Sequence, residues 1–326
     1  CQSHHLSRRR RRLLGLSAEI AALRQSDRWW DQRSYPARCG STRSFARFGK
    51  CAALLGLLVL LTGQAEAAVI TWDGGGTDGT CGGGAGDGNK WSGAANWGGE
   101  VAPGTADVAT FDATSVKNAT ITVDPNMAGI DIKSGYTGTI TQNAGIALTV
   151  GASHYVQAGG TFTGGNSAIT LNGAFTLSGG AFTSTSGTMT ITGSGTGSSR
   201  PFNTTGGTFT PSTGTVAYTG TSATEIQATT YNNLSLIPAG TVTYTLGTAI
   251  TQTIRTDGTF LIGNGTNILT ATAATWNPAL DVRGDLTIAA NAVYTKGTGI
   301  TTFQKNAATQ TLTDNTAAKQ DLGTVQ

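Results

Sequence analysis

The chain has 326 residues, of which 12% are charged, with 21 Lys and Arg against 18 Asp and Glu. Its net charge of +3 is unevenly placed: residues 1–67 hold 12 of the basic and 4 of the acidic side chains, leaving 9 basic and 14 acidic for residues 68–326. The net positive charge therefore comes from the front end and says nothing of nucleic-acid binding by the rest, and the Arg8 to Arg12 run, with no fold or aromatic interleaving beside it, reads as a basic extension rather than a nucleic-acid arm. The one cysteine of residues 68–326, Cys81, excludes an internal disulfide framework and leaves either a free thiol or a bridge to another chain.

Residues 1–44 carry Arg8 to Arg12 and Trp29-Trp30, show no hydrophobic period and open on Cys1 rather than Met. Either the true start lies upstream or this stretch precedes the native one, so it is set aside as an unassigned basic extension. Residues 45–67 read as a secretory signal peptide. Arg47 and Lys50 supply a positive start, Cys51 to Gly63 an apolar run of 13 residues, and Ala65-Glu66-Ala67 the small-residue cleavage pattern. The run falls short of the ~20 apolar residues of a membrane-spanning helix. No later segment could span as one, and no Cys follows Leu60-Leu61-Thr62-Gly63 to mark a lipoprotein.

Residues 68–115 form an N-terminal module rich in Gly and Trp. A solenoid must cover the open strand edges at its ends, so Trp72, Trp91 and Trp97 are expected to cap the first coil. The alternative is that the three indoles are stacking platforms for carbohydrate. Asp73, Asp78 and Asp87 sit in a Gly-rich stretch, where carboxylates and carbonyls could hold calcium, the one cofactor the sequence suggests. Gly83-Gly84-Ala85-Gly86-Asp87 misses the calcium-roll repeat by one residue and lacks its tandem copies. Gly74, Gly76 and Gly79 match a dinucleotide fingerprint in letters only, since no helix follows to receive a phosphate.

From residue 116 to 326 the signal is period two. Thr120-Ile121-Thr122-Val123, Ile146-Ala147-Leu148-Thr149-Val150, Thr188-Met189-Thr190-Ile191-Thr192 and Val242-Thr243-Tyr244-Thr245-Leu246 alternate polar and apolar between turn residues, and so predict short strands. Threonine, about a fifth of residues 68–326, suits the outer face of a pleated sheet. The strands repeat. A Gly-Gly-x-Phe-Thr theme occurs at Gly159-Gly160, Gly179-Gly180 and Gly206-Gly207, spaced by 20 and 27 residues. A second theme, Ser186 to Gly193, returns as Thr213 to Gly220. Such periods predict an all-β, right-handed parallel β-helix of about ten coils behind the Trp-containing cap. The alternative, a tandem β-sandwich array, needs units of ~100 residues. Val216-Ala217-Tyr218, Gln227 and Leu234 also echo Thr301-Thr302-Phe303, Gln310 and Leu322, at offsets of 83 to 88 residues. A higher-order unit is therefore expected to restart near Gln326 and to continue beyond it.

Other candidates have plainer readings. His154, the one histidine after residue 67, stands on a strand-like run with nothing marking a nucleophile beside it. Asp281, Arg283 and Asp285 could supply acids for glycoside chemistry, but neighbours around a glycine suit solvated turn charges better. Asn118, Asn203, Asn233 and Asn264 open glycosylation-type tripeptides that also describe an Asn at a turn before a strand threonine.

Trp72-Asp73-Gly74-Gly75-Gly76, then Trp91-Ser92, Asn96-Trp97, Pro103, Asp107 and Phe111, resemble the start of bacterial autotransporter-like and β-strand-repeat surface proteins. The later Gly-Gly-x-Phe-Thr and Tyr231-Asn232-Asn233-Leu234 themes resemble the same group. The resemblance implies export and a β-helical passenger or stalk, often adhesive, and no shared catalytic residues. The expectation is a secreted, cell-surface structural or adhesive repeat protein rather than an enzyme. Its expected partners are glycans, host or neighbouring cell surfaces, or further copies of itself. A carbohydrate-binding module and a polysaccharide-processing β-helix enzyme are the alternatives.

Overall fold

The computed structural model describes residues 67–75, 89–304 and 309–326. The chain divides into two compact units, 1–61 and 62–326, and the described residues belong to the second. Asp78, Cys81, Asp87, residues 1–44 and the leader stretch up to residue 66 lie outside them.

The described residues form an all-β solenoid of nine coils with three strands each. Coils 1 to 5 span residues 108–127, 129–150, 155–171, 175–191 and 202–218; coils 6 to 9 span 224–236, 242–262, 269–288 and 292–314. Strands of successive coils pair in parallel throughout, and the one antiparallel bridge among the described residues joins Trp72 to Trp97. This excludes the sandwich array, whose sheets are antiparallel. One continuous sheet takes a strand from every coil, from Asn126–Met127 to Leu312–Asp314. The remaining strands of coils 1–5 build two front sheets, and those of coils 6–9 build two different rear sheets. At the ~4.8 Å spacing of paired strands, nine coils extend roughly 40 Å.

The period-two pattern sets the core. In Leu148–Val150, Ile169–Leu171 and Leu286–Ile288 the outer residues are buried and the central threonine turns outward. Register then stacks like on like: Leu148, Ile169, Met189, Val216, Leu234 and Phe260 form one inward column of the continuous sheet. On the front sheets the columns are aromatic. Phe162 lies over Phe182 with centroids 4.8 Å apart and planes 7° from parallel, and Tyr155 and Phe202 flank Phe175 at 5.2 and 4.8 Å. Each such ring contributes its buried area, about 1.5–3 kcal/mol, plus the stacking. Burial pushes the Tyr155 and Tyr231 phenols well above their ordinary range.

Both repeat themes are neighbouring rungs in register: Thr161 pairs with Ala181 and Ala181 with Thr208, while Thr188 pairs with Thr215. The Gly-Gly element is a corner. Gly160, Gly180 and Gly207 all have positive φ, and a Cβ on Gly180 would lie 2.4 Å from the Gly160 carbonyl oxygen. Buried Gln157 ties this corner to the next. It accepts from the Tyr155 hydroxyl at 2.8 Å and donates to the Gly159 and Ala181 carbonyls at 3.1 and 3.0 Å.

Between coils 5 and 6 the solenoid changes course. The step from coil 4 to coil 5 is seven residues longer than the one before, because Leu171 precedes Phe175 by four residues and Ile191 precedes Phe202 by eleven. The surplus lies in residues 192–201. There Gly195 bridges to Thr224 and starts the first rear sheet, while the front sheets end at Phe202–Thr204 and Thr208–Thr210. The 85-residue echo does not survive this change. Val216 and Tyr218 belong to the continuous sheet, whereas Thr301–Phe303 belongs to the second rear sheet. Letter similarity between alternating strands does not require equivalent rungs. Past coil 9, Gln320 Oε1 accepts the Tyr294 N–H at 2.9 Å, and Thr301 bridges to Val325.

Gly180→Ala should destabilise the chain more than Gly265→Ala in urea unfolding. Both positions need positive φ, which costs about 1–2 kcal/mol for alanine, but a Cβ at Gly265 meets nothing within 4 Å. Equal losses would contradict the stacked-corner account.

Candidate functional site

The N-terminal module closes the front end of the solenoid. Val69–Thr71 pairs with the Val108–Phe111 strand of coil 1, and Lys90 bridges to Thr120, so the cap adds a partial rung beneath coil 1. Trp72, Trp91 and Trp97 are buried around Phe111, with Trp72–Trp97 and Trp91–Trp97 centroids 5.1 and 4.8 Å apart, edge to face. Trp97 Nε1 donates to the Trp91 carbonyl at 2.7 Å, and Trp72 Nε1 to the Lys117 carbonyl at 3.0 Å. The rings cover one another and Phe111, and stacking on a sugar would require opening that cluster. Of the calcium candidates, Asp73 is among the described residues, and its Oδ1 accepts the Gly75 N–H at 3.0 Å as an ordinary turn contact. No group of three His, Cys, Asp or Glu side chains suited to a metal occurs among the described residues.

His154 is a corner residue with φ of 72°, and its Nδ1 accepts the Ala174 N–H at 2.8 Å. That nitrogen is therefore engaged with the next coil. Asp281 and Arg283 share a face of the second rear sheet, in line with their parity, and join Arg255 and Asp257 in one ladder of ion pairs. Arg283 lies 2.9 Å from Asp281 and 3.9 Å from Asp257, and Arg255 lies 2.6 Å from Asp257. The hydrogen bonds it donates to Asp281 hold the Arg283 guanidinium above its ordinary range. Asp285 Oδ1 accepts the Thr311 N–H at 2.9 Å.

Two arrangements were not foreseen from the sequence. The first is Glu225, 7% exposed, whose Oε2 accepts the Gly197 N–H at 2.8 Å and lies 3.7 Å from Arg200, while its Oε1 accepts Trp276 Nε1 at 3.3 Å. One carboxylate thus joins the seven-residue insertion, coil 6 and a loop of coil 8. The only hint in the sequence is an acid inside a β-branched run, Thr224-Glu225-Ile226.

The second is on the outer face of the second front sheet. The tripeptides 139–141, 161–163, 181–183 and 208–210 stack in register with their central residue turned inward. This builds one outward column of Thr139, Thr161, Ala181 and Thr208, and beside it another of Thr120, Thr141, Thr163, Thr183 and Thr210. None of these nine positions is charged, and Lys90, bridged to Thr120, adjoins the second column at its capped end. The first front sheet differs, with Asp131, Val156, Thr176 and Asn203 in its outward column.

Comparison with protein-family models, curated proteins and solved structures gave no match. No helix among the described residues is long and apolar enough to cross a membrane.

Trp97→Ala should cost about 3–5 kcal/mol, as expected for deleting a buried aromatic, whereas half-buried Trp276→Ala should cost less. Urea unfolding followed by circular dichroism checks the order. A Trp97→Ala variant as stable as the parent chain would remove the capping role.

Proposed function

We propose that the chain is an exported, surface-displayed structural or adhesive repeat segment. The observation that carries this reading is the nine-coil parallel ladder. Its rigid backbone holds long rows of small polar side chains outward, which suits shallow, multivalent contact better than a single deep cleft. The signal-peptide pattern of residues 45–67 and the resemblance of the Trp-rich start to surface repeat proteins support export. The reading is non-catalytic. The acids and arginines that gather on the second rear sheet are paired with one another, and the same holds for buried Glu225. Glycans, neighbouring cells or other copies of the chain are the partners this reading expects.

Expression in an exporting bacterial host should deliver a chain that begins at Ala68, read by N-terminal sequencing. Beads coated with it should adhere to cells, to a glycan panel or to each other. Retention in the cytoplasm, or no adhesion to any of the three, would overturn the proposal.

A further inference from the structure

The threonine columns of the second front sheet differ from an ordinary polar exterior in being two-dimensional. Parallel register repeats equivalent side chains about every 4.8 Å across strands, and residues two apart on one strand repeat at about 6.7 Å. Thr139, Thr141, Thr161, Thr163, Thr208 and Thr210 occupy such a grid in pairs, and Thr120 and Thr183 extend one column. Each threonine offers a hydroxyl that donates and accepts, beside a methyl group on a stiff β-branched carbon. Ala181 keeps the methyl and lacks the hydroxyl. The oxygens on a prism face of hexagonal ice also repeat on a two-spacing grid, slightly tighter than the sheet's in one direction and wider in the other, in a lattice that liquid water lacks.

We propose that the second front sheet of coils 1–5 is a binding face for crystalline ice. The backbone ladder fixes the grid before binding, so little conformational freedom is lost on contact. Each hydroxyl or methyl contact is weak, but the contacts engage together, and an array gains affinity that single sites do not have. Charged side chains, which hold hydration shells of their own, are absent from the grid positions, and Lys90 adjoins the grid only at its capped end, beside Thr120. The neighbouring first front sheet, with Asp131, Val156 and Asn203 interrupting its outward column, offers no such grid and provides an internal control. The proposal does not depend on where the chain is displayed, and its test does not read adhesion to cells or glycans.

The test is ice growth in solutions of the full chain, followed by nanolitre osmometry and microscopy. The parent protein should shape crystals into facets and hold them below their melting point. The double substitution T163K and T183K, at the centre of the grid, should reduce that hysteresis by about tenfold or more, as expected if contacts act together. T176K on the first front sheet should leave it unchanged. Circular dichroism confirms the fold, and if the double variant loses its β-sheet spectrum, T163Y takes its place with the same expected loss. Absence of faceting and hysteresis in the parent protein would overturn the proposal. So would full activity in the grid variants, an equal loss in T176K, or retention on crystalline cellulose with no effect on ice.

Discussion

Parallel hydrogen bonding between successive coils decides where the side chains of the solenoid point. A slip of one residue between rungs would turn the inward set outward, exposing Leu148, Ile169 and Met189 together. The register also explains the economy of charge. Once each coil saturates the backbone of the next, the exterior needs only residues that tolerate a pleated surface, and threonine does this with few rotamers. The open ends are where the ladder has no partner. At the front, the Trp72, Trp91 and Trp97 cluster and the bridge from Lys90 to Thr120 close coil 1.

The ladder tolerates unequal coils provided the difference is confined to a corner. On the continuous sheet Val216 pairs with Leu234 after 18 residues, while Leu234 pairs with Phe260 after 26. The largest local departure, residues 192–201, does more than bulge, since it starts a new sheet through Gly195. Glu225 locks that junction. A buried carboxylate is costly unless paired and hydrogen-bonded, and this one receives Gly197, Arg200 and Trp276. Its partners come from two segments distant from its own, so the carboxylate ties three parts of the chain together at the junction.

Much of the fold was legible in local pattern. Alternation at Thr188 to Thr192 and the Gly-Gly corners carried strand, turn and coil length together, because each reflects a one-rung constraint. The exchange of front for rear sheets was not legible, since it depends on which corner the extra residues occupy. The echo between Tyr218 and Phe303 misled for a related reason: strands on different sheets share one alternating alphabet. Among the candidate site residues, the tryptophans were visible as large apolar side chains beside a Gly-rich turn. The threonine grid was invisible because its columns join residues 20 to 27 positions apart, and only register brings them together. A solenoid presents rows of side chains, and the rows are written across coils rather than along the chain.

The central claim is that distance along the solenoid counts coils and not residues. Spin labels at Thr149, Ser235 and Thr287, all on the outward column of the continuous sheet, test this in solution by pulsed electron resonance. Four coils separate Thr149 from Ser235 and six separate it from Thr287, so backbone distances of about 19 and 29 Å are expected. Sharp distance distributions that grow in this ratio would support the in-register stack. Broad distributions, or a Thr287 label no farther from Thr149 than the Ser235 label, would contradict it.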